Sequence, residues 1–142
     1  MMKKTLSTLI FGAGAMLATN ALADGHVAEG EKLTAKRCKA CHMIADGDNV
    51  ILKGGKVGPN LWGIIGSPAG GQEGFKYGDD LAQAGANGLV WDEEQLAAYI
   101  GDPKKFLRAY LDDKKARSKM TFKLKKEDQR AAVAAYLASL NN

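Results

Sequence analysis

The feature that most constrains this chain is a run of five residues, Cys38-Lys39-Ala40-Cys41-His42. Its two cysteines are the only ones in 142 residues, and a histidine follows the second directly. C-x-x-C-H is the attachment pattern of c-type haem. On a helical turn, positions three apart share one face. Both thiols can then add to the two vinyl groups of one porphyrin, and His42 turns toward the iron as an axial ligand. A chain this short has a thin core of its own, and small scaffolds need a staple. A buried macrocycle supplies one.

Three plainer chemistries compete for the same residues. A thioredoxin-like dithiol follows a strand in a βαβ pattern, and no convincing strand precedes Cys38. A zinc site needs four ligands, which beyond the leader described next would require Cys38, Cys41, His42 and the distant His26 together. A structural disulfide suits an oxidising compartment but leaves His42 unexplained.

The first 23 residues read as a secretory signal peptide. A basic start at Lys3 and Lys4 precedes an apolar run from Leu6 to Ala18, and Ala21-Leu22-Ala23 fits the A-x-A cleavage rule. The apolar run is shorter than the roughly 20 residues a spanning helix requires. The expected mature domain is 24–142, one unit with no membrane segment, in the periplasm. Removing Lys3 and Lys4 lowers the formal charge from +4 to +2. A charge this small does not argue for a nucleic-acid partner.

The iron's sixth position decides between a carrier and an enzyme. Met43 adjoins His42 and starts on the wrong side of the ring. Met120 lies in Ser118-Lys119-Met120-Thr121-Phe122, a stretch read as a loop between two helices. A thioether trans to His42 raises the iron potential and suits electron transfer. His26 is the rival ligand. An open sixth position would instead suit a small haem peroxidase or a gas-binding protein, and free Cys38 and Cys41 a thiol–disulfide oxidoreductase.

Across the mature chain a string of motifs resembles the class I c-type cytochromes, most nearly the soluble bacterial cytochrome c2 type. Gly30 stands eight residues before Cys38. Gly58-Pro59-Asn60-Leu61-Trp62-Gly63 follows the haem motif. Glu73-Gly74-Phe75-Lys76-Tyr77, Leu89-Val90-Trp91, Asp102-Pro103-Lys104-Lys105-Phe106 and the Met120 segment come next in order, before Ala135-Tyr136-Leu137. The resemblance implies an all-α single-domain cytochrome c fold around one haem c, covalent through Cys38 and Cys41, with His42 and Met120 as axial ligands. It implies that the Pro59 carbonyl accepts from the His42 ring, that Tyr77 and Trp91 reach a haem propionate, and that Tyr99 lies near the Met120 sulfur. It implies that Gly30 lets the first helix cross the last beside Val133 and Tyr136. Ser67 stands where relatives often carry an arginine, and Thr34 where an aromatic is usual. The implied function is one-electron transfer between membrane complexes: a bc1-type donor and a reaction centre or terminal oxidase as acceptor.

Patterning places helices at about 27–39, 79–84, from Asp92 to about Gly101, from Asp102 through Leu111, and 126–140. Asp92 and Gln95 resemble a capping box, and Asp102-Pro103 a cap followed by Pro at N1. Glycines dominate 45–88, which reads as loops and turns. Residues 104–126 hold ten lysines and arginines against Asp112 and Asp113, a local charge of +8. This run flanks Met120 and is expected to steer a monomeric carrier onto acidic docking surfaces, with Lys119 and Lys123 foremost.

Overall fold

The computed structural model describes residues 18–140, so most of the expected leader lies outside the described residues. In the described part, helix α1 (Ala18–Arg37) is followed by a hairpin of β1 (Ile44–Asp46) and β2 (Asn49–Leu52). Then come α2 (Asp79–Ala86), α3 (Glu93–Gly101), α4 (Pro103–Tyr110) and α5 (Glu127–Ser139).

Local chemistry accounts for the short helices. Asp92 caps α3, its carboxylate accepting from Gln95 N at 2.7 Å. Only this half of the expected box forms, because the structure shows no return bond from the Gln95 side chain. Asp102 caps α4 in the same way, accepting from Lys105 N at 3.0 Å, with Pro103 in the first turn. Lys126 is the N-cap of α5 rather than its first residue. Helix α1 ends at Arg37, but Cys38 N still donates to Thr34 O (3.0 Å) and His42 N to Cys38 O (3.0 Å), so the haem motif continues as a closing turn. At the other end α1 starts at Ala18, nine residues before the expected Val27, and runs through the Ala21-Leu22-Ala23 junction.

The hairpin corrects the reading of the glycine-rich 45–88 stretch as loops and turns around one short helix. Asp46 pairs with Asn49, with Gly47 at φ 56° in the connecting turn. Asp-Gly between apolar runs is a hairpin cue, here masked by the surrounding glycine density. A second antiparallel contact joins Pro68 to Val90, supported by Ala69 N to Leu89 O (2.8 Å) and Trp91 N to Ser67 O (2.9 Å).

The core forms where α1 crosses α5 and α3 packs on α5, with α4 against α3. Leu33, Leu96, Tyr99, Leu107, Val133, Tyr136 and Leu137 are buried there. Gly30 makes the α1–α5 crossing possible. A Cβ at this position would meet the Ala132 carbonyl carbon at 2.6 Å and Tyr136 Cβ at 2.8 Å. The nearest obstacles are Ala132 and Tyr136, with Val133 buried in the same core. Thr34 is fully buried beside this crossing and satisfies its hydroxyl by donating to Gly30 O at 2.7 Å. The small side chain fits the crossing and bonds its own helix.

Candidate functional site

The haem motif is held by the chain that returns after the hairpin. Gly55 N donates to Lys39 O (2.9 Å), Gly58 N to Cys41 O (2.7 Å) and Leu61 N to Met43 O (3.0 Å). Close approach requires glycine at this seam. A Cβ on Gly54 would meet Lys39 O at 2.7 Å, and one on Gly58 would meet the His42 ring Nδ1 at 2.6 Å. Asn60 locks the same segment to the hairpin. Its side chain donates to Ala45 O (2.7 Å) and accepts from Ala45 N (3.1 Å) and Trp62 N (3.0 Å). Asn60 is a positioning residue whose role was not read from the sequence, although its Gly-Pro-Asn context was.

His42 is fixed by this scaffold. Its Nδ1 lies 2.8 Å from Pro59 O, so the Nδ1–H donates to that carbonyl and the lone pair is left on Nε2. Burial lowers the His42 pKa below its ordinary value, with the Pro59 bond working in the opposite direction. The imidazole is thus neutral, hydrogen-bonded at one nitrogen and free at the other, the state a metal ligand needs. Cys38 is half-buried and Cys41 exposed. Burial, reinforced by the Cys41 charge and opposed by Arg37, pushes the Cys38 thiol up to about 11. A dithiol reagent depends on a depressed thiol pKa, so this environment disfavours the thioredoxin-like alternative. Among the described residues no group of three or more His, Cys, Asp or Glu side chains could hold a metal ion, which leaves the zinc alternative without its ligands. His26 lines a different cavity, with Glu93, Glu127 and Arg130. The donors present therefore fit a haem held by two thiols and one oriented imidazole.

The aromatic residues divide into two groups. Trp91 is buried, its ring centroid 4.9 Å from Tyr99 and 6.0 Å from Phe106, and Tyr99 meets Phe106 edge-on at 5.7 Å. Phe106 completes the cluster. Tyr77 sits apart, edge-on to Phe75 at 4.8 Å, with its hydroxyl accepting from Gln72 N at 3.3 Å. Burial raises the pKa of both Tyr77 and Tyr99, so both remain neutral phenols at neutral pH.

Met120 is half-buried against the core, in a segment without regular structure that is fastened on either side. Arg117 N donates to Asp80 Oδ2 (2.7 Å), Tyr99 and Ser118 share a hydroxyl contact (3.4 Å), and Leu124 N donates to Ile100 O (2.8 Å). Lys119 Nζ donates to Lys76 O (3.2 Å), and Lys123 pairs with Asp102 at 2.7 Å. These two lysines hold the Met120 segment in place, which qualifies the expectation that they are free docking charges.

A family model for cytochrome c matches residues 27–141. The chain belongs to the cytochrome c family. It is 47% identical over 141 residues to cytochrome c-551 of Roseobacter denitrificans, covering 99% of this chain and 97% of that protein. It is 48% identical over 129 residues to cytochrome c2 of Rhodobacter capsulatus, covering 90% and 91% of the two chains. The solved structure of cytochrome c2 from Rhodobacter capsulatus superposes with a TM-score of 0.76 at 48% identity, covering 82% of this chain and 98% of that one. The structure of cytochrome c2 from Paracoccus denitrificans gives 0.75 at 46% identity, covering 80% and 93%. As a cytochrome of the c2 type, the chain carries one covalently attached haem c and is an electron-transfer protein, not an enzyme. No helix among the described residues is long and apolar enough to cross a membrane.

Proposed function

We propose that this cytochrome is an exported, monomeric one-electron carrier of the periplasm. Cys38 and Cys41 would hold its haem through thioethers, and His42 and Met120 would bind the iron. The observation that carries the reading is the 2.8 Å contact of His42 Nδ1 with Pro59 O, which fixes the tautomer and leaves Nε2 as the donor. When bound, the haem supplies a reversible Fe(III)/Fe(II) couple tuned by ligand identity and burial. With both His42 and Met120 bound, the iron would have no position for a substrate, so the residues around the site would serve to hold and shield it. Tyr99, bonded to Ser118 two residues before Met120, steadies the thioether segment. Trp91 and Tyr77 are the groups for the propionates, Trp91 from the buried cluster and Tyr77 from the 72–77 turn.

The leader 1–23 directs export, and the mature chain 24–142 shuttles between a bc1-type donor and a reaction centre or terminal oxidase. The basic 104–126 stretch supplies the attraction to acidic docking surfaces, which raises encounter rates while a small contact keeps release fast. Spectroelectrochemistry of the purified holoprotein tests the reading. It predicts a reversible one-electron Nernst curve and a ferrous form that does not take up carbon monoxide. Rapid carbon monoxide binding would show an open sixth position and favour a gas-binding or peroxidase role.

A further inference from the structure

The peptide unit joining Ala116 to Arg117 is gripped at both ends by charged side chains from different helices. Arg108, in the last turn of α4, donates from Nε to the Ala116 carbonyl at 3.1 Å. Asp80, in the first turn of α2, accepts the Arg117 N–H through Oδ2 at 2.7 Å. The path of the chain brings the unit there. It leaves α4 through Asp112 at φ 50°, a left-handed conformation that Asp tolerates better than most side chains. Asp113 N then donates to Arg108 O (3.1 Å) and Ala116 N to Asp113 O (3.1 Å), which turns the buried Ala116 back toward the helix it has just left. Met120 follows in the same irregular segment.

We propose that Asp80 and Arg108 are positioning residues for the Met120 ligand: their two-sided grip on the Ala116–Arg117 peptide unit holds the thioether segment in place and sets how often the sixth position opens. The inference rests on Met120 as an axial ligand, as given under the proposed function. For Met120 to leave the iron, its segment must swing away. The grip limits that swing on the N-terminal side, and the bond from Leu124 N to Ile100 O (2.8 Å) limits it on the C-terminal side.

The chemistry of the grip makes it firm. A peptide unit is a dipole, positive at its N–H and negative at its carbonyl oxygen. A cation at the carbonyl and an anion at the N–H both reinforce that dipole, so each bond strengthens the other. Both bonds are charge-assisted, the stronger kind. Neither side chain is committed elsewhere, because among the described residues the one ion pair is Lys123 with Asp102. The two helices that supply the grip also pack on each other, so the unit is tied to a single body. The other ties to the body before Met120 are the Tyr99–Ser118 contact at 3.4 Å and the Lys119 Nζ bond to Lys76 O at 3.2 Å, both longer. Arg108, one of the ten basic residues of 104–126, is thereby engaged in holding the segment.

The experiment uses ferric holoprotein and imidazole, a small ligand that reaches the iron only when the sixth position is open. At low imidazole the binding rate reports the open fraction. Asp80→Ala and Arg108→Ala should each raise that rate by about three- to tenfold, the effect of one lost hydrogen bond. Asp79→Ala removes the same charge from an exposed position in the same turn of α2 and should leave the rate near that of the parent. Asp80→Asn keeps an acceptor oxygen and should lie nearer the parent than Asp80→Ala. Because both side chains hold one peptide unit, the double variant should gain less than the product of the two single effects. Amide hydrogen exchange gives a readout on the chain itself: the Arg117 N–H should exchange faster in Asp80→Ala and not in Asp79→Ala. Either alanine variant decides the matter where the other fails to fold. Met120→Ala should bind imidazole fastest of all. If it binds no faster than the parent, another group holds the sixth position, and the ligand reading falls with this inference. If it binds fast while neither Asp80→Ala nor Arg108→Ala exceeds Asp79→Ala, this inference alone is overturned.

Discussion

Replacing Gly30 with alanine should destabilise the protein even though alanine is the better helix former. Helix propensity favours the substitution by about 1 kcal/mol. Against that, the new Cβ would stand 2.6 Å from the Ala132 carbonyl carbon and 2.8 Å from Tyr136 Cβ. Carbon contacts settle at about 3.5–4.0 Å, so α1 and α5 must part by about 1 Å. Both obstacles are backbone or close to it, so no side chain can swing aside. A gap of that size forfeits about a quarter to a half of the dispersion along the seam, where Leu33, Val133, Tyr136 and Leu137 are buried. Each such burial is worth about 1.5–3 kcal/mol, which puts the gross loss at about 1.5–6 kcal/mol. The net cost is about 0.5–5 kcal/mol, a fall in Tm of about 2–20 °C for a domain of this size. Thermal unfolding of the ferric holoprotein, followed by far-ultraviolet circular dichroism and by the haem absorbance, measures it. An unchanged or higher Tm would show that helix propensity dominates and that the close crossing carries no stability.

Other expectations are equally direct. Asp92→Ala should cost about 1 kcal/mol by removing the α3 cap, with most of it restored by Asp92→Ser, as read from denaturant midpoints. Lys123, hydrogen-bonded to Asp102, holds that carboxyl below its ordinary value of 3.8, with the Lys105 N–H bond acting in the same direction. The contribution is present above that value and lost as pH falls through the depressed one, so Asp102→Asn should be less stable than the parent at pH 7 and match it in acid. Removing both attachment thiols, Cys38→Ala with Cys41→Ala, should leave the mature chain largely unfolded; a cooperative thermal transition in that variant would show that the haem is not needed as core. Because Lys119 and Lys123 are occupied in holding the Met120 segment, docking is better probed at Lys115 and Lys125. Reversing these two to Glu should slow electron transfer to an acidic partner more than reversing Lys32 and Lys56. The parent's rates should fall as salt shortens the Debye length from about 10 Å at 0.1 M to about 3 Å at 1 M.

Much of this was legible in the residues because the chemistry is local. C-x-x-C-H constrains spacing within one helical turn, and the Asp92 and Asp102 caps lie three residues from the backbone N–H groups that donate to them. Gly30 was legible through the resemblance, although its contact at Ala132 depends on the helix crossing and appeared only in three dimensions. The hairpin was missed because Gly47 sits among many glycines and β1 has only three residues. The fastening of the Met120 segment was hidden for another reason. Its bonds to Asp80, Lys76 and Tyr99 span 37, 43 and 19 residues, and no periodicity reports contacts at such separations.

Iron K-edge X-ray absorption on the ferric holoprotein tests the central claim most directly. The account predicts five nitrogen scatterers, four from the porphyrin and one from His42, and one sulfur from Met120. It predicts that the sulfur is lost in Met120→Ala while the haem stays attached. A parent spectrum with no sulfur at the iron, or one that Met120→Ala leaves unchanged, would contradict it.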